Sequence, residues 1–305
     1  MKLKFLTCSL LFVVAGMGSI FNTVQAQEQL LKKEIGLQLY SVRSMIGSHV
    51  QPDTYNADYF SVLQKLAKMG YTSVESAGYK DGMFYNTTPQ VFKNNVEKAG
   101  MKVLSSHASR TLTQEELASG DFSKALTWWK ETIIAHKAAG IKYIVTPWLD
   151  LPKTIKDLDT ECQYLNEIGQ LCREYGIKYG YHNHAHEFEK VEGKVVMLDY
   201  MIEHTKPENV FFEMDVYWTI IGKASPVDYF KKYPGRYATL HIKDHREIGQ
   251  SGMVGFDAIF ANTDIAGVEN IFVELEETTA DLEVGLKQSI DYLLKAPFVK
   301  KTYQK

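Results

Sequence analysis

Acids and histidines recur at the ends of apolar, β-rich segments of this chain. Glu75 closes Thr72–Ser76 but for one residue, His107 closes Lys102–His107, and His182 with His184 follows Lys178 to the same kind of end. Asp215 ends Val210–Asp215, His241 and Asp244 flank the end of Tyr237–Lys243, and Glu274 and Glu276 fall in Asn270–Glu276. A carboxylate, an imidazole and a second carboxylate from three successive strands make an N/O donor set for one divalent cation, whether Mn, Mg, Zn, Co or Fe. Asp215, His241 and Glu274 are the best such set. Period two sends Glu274 and Glu276 to the same side of a strand, so one can ligate while the other orders a ligand or a neighbouring base. In Tyr181-His182-Asn183-His184-Ala185-His186-Glu187-Phe188 the histidines alternate with other residues. His182 is the expected inward ligand or catalytic group, His184 a substrate contact, and His186 lies beyond the strand. Asn183 can secure the turn through its amide. The spacing is not His-Glu-x-x-His, which argues against a metalloprotease.

Other residue types suit a sugar-like ligand. Trp148, Tyr217 and Trp218 follow strand ends and can form flat apolar walls, and His107 can reach a substrate. Lys243 and Arg246 can hold a carboxylate, phosphate or hydroxyl through charge-assisted bonds, with an ion pair to Asp244 as the competing role for Lys243. Trp128 and Trp129 sit inside a helical stretch and read as core or helix-face residues.

The elements that must position these groups alternate. The strand candidates are Ile35–Tyr40, Thr72–Ser76, Lys102–His107, Lys142–Thr146, Lys178–His182, Val210–Asp215, Tyr237–Lys243 and Asn270–Glu276, each short and suited to burial on both faces. Helix candidates between them include Tyr59–Met69, Pro89–Lys98, Phe122–Ala139, Leu158–Tyr175, Pro226–Tyr233 and Leu282–Leu294. Gly70, Gly100, Gly140 and Gly176 punctuate helix ends. Eight such units predict an α/β fold that closes as a (β/α)8 barrel, whose chemistry sits where the strand C-termini converge. There is no Gly-x-Gly-x-x-Gly opening a helix and no phosphate-cradling Gly-Lys-Ser/Thr loop, so no nucleotide cofactor is expected.

The first residues read Met1-Lys-Leu-Lys, then an apolar run from Phe5 to Ile20, then Val24-Gln25-Ala26. This is the pattern of a secretory signal over residues 1–26, with one barrel domain over residues 27–305. The run is under the roughly 20 residues a membrane anchor needs. Export is therefore expected, to the periplasm where the host has an outer membrane and otherwise outside the cell. Cys8 lies inside the apolar run and Cys162 and Cys172 are ten residues apart in a helical region, which predicts buried thiols rather than a disulfide. Losing Lys2 and Lys4 with the leader takes the formal charge from -3 to -5. A nucleic-acid partner would want a basic surplus, so none is expected. The composition is compatible with a homo-oligomer.

Taken together, Gly36 to Arg43, Tyr181-His182-Asn183-His184, Met214 to Trp218, His241-Ile242-Lys243-Asp244 and Val273-Glu274-Leu275-Glu276 resemble the xylose-isomerase-like TIM barrel superfamily that contains the sugar phosphate isomerase/epimerase proteins. The resemblance covers Glu34 to roughly Leu294. It implies a metal site with carboxylates from strands five, six and eight and a histidine from strand seven, which here fall on His182, Asp215, Glu274 and His241. His182 stands where ketose epimerases carry glutamate, and a similar histidine-rich strand occurs in relatives that resemble inosose dehydratases. The DNA-repair nucleases of the superfamily are poor models for an exported, acidic chain.

The implied activity is a divalent-metal-dependent isomerase or epimerase acting beside the carbonyl of a ketose or keto-glycoside through an enediolate. Glu274 is the leading base and His182 a proton donor or relay; if His182 is a metal ligand, Glu276, His184 or bound water supplies the second proton transfer. A dehydratase acting on a keto-polyol such as a ketoinositol shares the intermediate and is the lyase alternative. An exported sugar-binding barrel without turnover is the non-enzyme alternative.

Overall fold

Branched and aromatic residues fill the short strands, and burial on both faces follows from closure. The computed structural model describes Lys33–Gly47 and Tyr59–Gln304. The expected leader and Cys8 lie outside the described residues. Eight strands pair in parallel as one closed barrel. They are β1 (Gly36–Gln38), β2 (Ser73–Ser76), β3 (Lys102–His107), β4 (Tyr143–Thr146), β5 (Lys178–His182), β6 (Val210–Asp215), β7 (Thr239–Ile242) and β8 (Asn270–Val273). Closure runs through the parallel pairing of β1 with β8, Gly36 opposite Phe272. A Cβ on Gly36 would sit 2.3 Å from the Phe272 ring, so glycine makes room for that ring.

The principal covering helices are α1 (Tyr59–Met69), α2 (Pro89–Lys98), α3 (Ser123–Ala138), α4 (Ile155–Glu174), α5 (Met197–His204), α6 (Pro226–Lys232), α7 (Phe256–Ala261) and α8 (Leu282–Lys295). Gly70, Gly100, Gly140 and Gly176 all take positive φ, the left-handed turn that ends a helix before the next strand. Helices α5 and α7 are additions to the expected set. Trp129 is fully buried and donates from Nε1 to the Tyr164 hydroxyl at 2.7 Å, while Cys162 and Cys172 are buried free thiols. Among the described residues no helix is long and apolar enough to cross a membrane.

Three expected strands end early: β1 stops at Gln38, where a 3-10 turn begins, and the shortening of β7 and β8 moves part of the site. β7 stops at Ile242 and β8 at Val273, so Glu274 and Glu276 lie just past the strand and not in it. The ladder still reaches Glu274, whose N–H donates to the Ile242 carbonyl at 3.1 Å.

Candidate metal centre and its cavity

Strand register decides which side chains meet. Glu213 stands opposite His182 in β5 and opposite Thr239 in β7, while Asp215 stands opposite His241. At the C-terminal mouth His182, Asp215, His241 and Glu274 each bring one donor atom within 4.8 Å of the others, and all four residues are buried. His182 Nδ1, Asp215 Oδ2, His241 Nδ1 and Glu274 Oε2 are buried without a hydrogen-bond partner. An unsatisfied buried polar group costs about 1–3 kcal/mol. Four of them in one place, two nitrogens and two oxygens, fit a divalent cation in chemistry and in number.

Beneath this set lies a second tier of two carboxylates. Glu75 Oε2 accepts from Gln38 at 2.7 Å and lies 2.6 Å from His241 Nε2, and its Oε1 accepts from Ser105 at 2.5 Å. Glu213 Oε1 accepts from Thr239 at 2.8 Å, while its Oε2 lies 3.1 Å from both His107 Nε2 and His241 Nε2. His107, His182, Glu213 and His241 also bring donor atoms within 4.8 Å of one another. Most of the atoms in this lower tier are hydrogen-bonded, whereas the four upper atoms have no hydrogen bond. His182 and His241 belong to both groups, which leaves one divalent site rather than two.

Charge follows the same division. Burial opposes ionisation of Glu75 and Glu213, but the histidines around them outweigh it and hold both below the ordinary carboxylate range. Burial disfavours a charged His107, yet Glu75 and Glu213 overcome it and lift its pKa to about 9. Burial pushes Asp215 well above the usual carboxyl value, with Lys243 opposing and Glu274 adding to the rise. A cation at the upper set would reverse that.

Local backbone explains the poise of Asp215. Its Oδ1 accepts from the Trp218 N–H at 2.7 Å and caps the short helix Val216–Ile221, leaving Oδ2 for the upper set. Asn183 accepts from the Asp215 N–H at 3.3 Å and donates to Thr219 at 3.3 Å, so it ties the turn after β5 to β6.

A cavity of about 350 Å³ opens over the upper set, lined in part by His107, His182, His184, Trp148, Trp218, Glu274 and Glu276. Lys243 is buried, with Nζ 3.2 Å from Glu276 Oε1 and 4.0 Å from Glu274 Oε2. Several expected contacts fall elsewhere. Asp244 does not pair with Lys243; it accepts from the backbone of His245 and Gly249 and from Ser251, bracing its own loop. Arg246 is exposed on that loop and does not line the cavity, because the chain turns outward after β7. Tyr217 lies against Lys243, 5.9 Å from its ring centroid, and bonds His245. His186 sits in a 3-10 turn, with Nε2 2.8 Å from the Leu149 carbonyl. Glu213 went unread in the sequence, although it faces the same side as Asp215 by period two.

The family description "Xylose isomerase-like TIM barrel" matches residues 63–296. The chain belongs to this family. A sugar phosphate isomerase/epimerase structure from Parabacteroides distasonis is 35% identical, covering 88% of this chain and 100% of that one, with a TM-score of 0.78. An inosose dehydratase from Geobacillus kaustophilus is 26% identical over 215 residues, and the match spans 64% of this chain and 64% of that relative's length. A 3-keto-D-glucoside 4-epimerase structure from E. coli shares the fold at a TM-score of 0.59, with 16% identity over 87% of this chain and 100% of that one. Family membership and the buried donor cluster make this an enzyme of the sugar isomerase/epimerase barrel type.

Proposed function

We propose that the chain is a divalent-metal-dependent isomerase or epimerase that works beside the carbonyl of a ketose or keto-glycoside through an enediolate. The observation that carries this reading is the set of four buried donor atoms on His182, Asp215, His241 and Glu274 that have no hydrogen-bond partner, with His182 and Glu274 lining the cavity at the barrel mouth. A divalent cation held there supplies Lewis acidity toward a carbonyl and its adjacent hydroxyl.

The protein's own groups handle the proton. Glu274 has two carboxylate oxygens, so holding the ion through Oε2 leaves Oε1 to take the proton from the carbon beside the carbonyl. The electrons of that C–H bond move into the enediolate, and the proton stays on Glu274 until it or a second group returns one. His182 cannot ligate and relay through the same Nδ1. His184 and Glu276, which line the same cavity, are the groups placed for the second transfer, with Lys243 holding Glu276 at 3.2 Å. Glu274 is buried, whereas His184 and Glu276 are half-buried and stay in reach of water.

The lyase reading is favoured by a separate observation. Two curated relatives named inosose dehydratase match this chain, and β5 carries His182 at the point where an epimerase-like glutamate would stand. Loss of a β-hydroxyl from the same enediolate would give dehydration. Incubating metal-loaded protein with ketoses, keto-glycosides and ketoinositols in deuterated water distinguishes these fates by NMR. Deuterium at the α-carbon of a stereoisomer supports epimerisation, deuterium with a moved carbonyl supports isomerisation, and water loss selects the lyase. Turnover with no exchange or cleavage at the α-carbon overturns the mechanism.

A further inference from the structure

A second cavity adjoins the first. It measures about 570 Å³ and shares Trp148, His184 and Trp218 with the cavity over the metal centre, then continues along His186, Phe188 and Ile221. Each cavity alone falls in the roughly 300–1,000 Å³ range of small-ligand sites. One sugar ring positioned on the metal centre therefore leaves the outer trough unfilled.

The shared wall is built and fixed. Trp148 is 47% exposed, yet its Nε1 donates to Asp150 at 2.9 Å and its ring lies 4.8 Å from His184 and 4.3 Å from His186, centroid to centroid. Phe188 packs edge-on against Tyr229 at 5.3 Å, and a Cβ on Gly222 would fall 2.3 Å from its ring. The chain thus holds Phe188 in one place by keeping a glycine beside it. His184 Nδ1 and Trp218 Nε1 on the shared wall are buried without a hydrogen-bond partner. The rings of Trp148 and Trp218 on this wall suit a hydroxylated ring, whose C–H faces stack on aromatic faces. A phosphate is the poorer match. Among the trough's lining residues the charges are Lys223 and Glu189, which offset each other, and His186 has one nitrogen on the Leu149 carbonyl and the other 3.4 Å from Glu187.

We propose that the outer trough is a subsite for a second sugar ring, so that the substrates are glycosides carrying a keto-sugar ring rather than free monosaccharides or sugar phosphates. This rests on the reading of the inner cavity as the keto-sugar site. The test is calorimetric binding of isomaltulose, turanose, lactulose, D-fructose and D-fructose 6-phosphate to Mg²⁺-loaded protein. At least one ketose disaccharide binds about tenfold or more tightly than fructose. Trp148→Ala and, independently, Ile221→Arg at an exposed position that lines only the outer trough each shrink that advantage toward one, while melting temperatures report that both variants fold. Equal binding of fructose and all three disaccharides overturns the proposal, as does an advantage that survives both variants or tighter binding of fructose 6-phosphate than of any disaccharide. Continued α-proton exchange alongside such a result removes the trough and leaves the proposed chemistry. A disaccharide advantage without exchange does the reverse.

Discussion

His241 turns one nitrogen down and one up: Nε2 lies 2.6 Å from Glu75 Oε2, and Nδ1 lies 3.5 Å from Glu274 Oε2. The buried carboxylate below thus sets which nitrogen carries the proton and which faces the upper set. Glu75→Gln removes that charge while preserving shape. The expected outcome is a fall of about 10- to 100-fold in Mn²⁺ affinity by calorimetry, with activity recovered at excess metal. Unchanged affinity would show that Glu75 does not orient the imidazole.

Asp215 holds two roles that two substitutions separate. Asp215→Asn keeps the cap on Trp218 and loses a charged ligand, whereas Asp215→Ala loses both, at a further cost of about 1 kcal/mol from the cap. Because burial raises the pKa of Asp215 in the absence of a cation, its ionised form destabilises the metal-free fold as pH rises. Metal-free Asp215→Asn is therefore expected to melt higher than the parent at pH 8. The order reverses when excess metal stabilises only the parent, by about 2.7 kcal/mol at a hundredfold excess over Kd. Identical metal-free melting curves would count against this.

Lys243 tests charge beside the centre without altering the four donors. Lys243→Gln removes the cation that faces Glu276 and Glu274. A loss of about 10²- to 10⁴-fold in kcat is expected, with metal affinity held within a few-fold. A matching fall in both would instead mark Lys243 as part of the metal site's support.

Glu161 offers a pH signature away from the site. Burial, with Asp157 one turn earlier adding repulsion, lifts its pKa from 4.5 to about 7, and its Oε2 has no hydrogen-bond partner. Between those values the folded state holds a proton that the unfolded chain has lost, so stability falls as pH rises from about 4.5 through 7. Glu161→Gln should flatten that slope and raise stability at pH 8 by at most about 3 kcal/mol. Urea melts at pH 5 and pH 8 measure it, and equal gains at both pH values would exclude this cause.

Much of the barrel can be read from residue order because β3, β5 and β6 are short hydrophobic runs with sharp ends, and each spans the residues expected from the sequence. The trio Asp215, His241 and Glu274 was legible because strand ends converge. Glu213 was not, since the reading stopped at strand tips, although its register opposite His182 puts it one layer below. Nor does local sequence show that Asp244 turns away to serve its own loop while Lys243 turns in, a choice made by Gly249 and Ser251 five and seven residues on. The outer trough depends on loops after β4, β5 and β6 meeting, which no local pattern encodes.

Asp215 divides one carboxylate between the helix that carries Trp218 and the atoms facing the upper donor set. The same side chain therefore belongs both to the candidate ion site and to the first turn of Val216–Ile221, whose Trp218 borders the inner cavity and the trough alike. A substitution that removes this carboxylate would act on the ion and on the wall the sugar meets at once, so its effects on metal and on carbohydrate would not be independent.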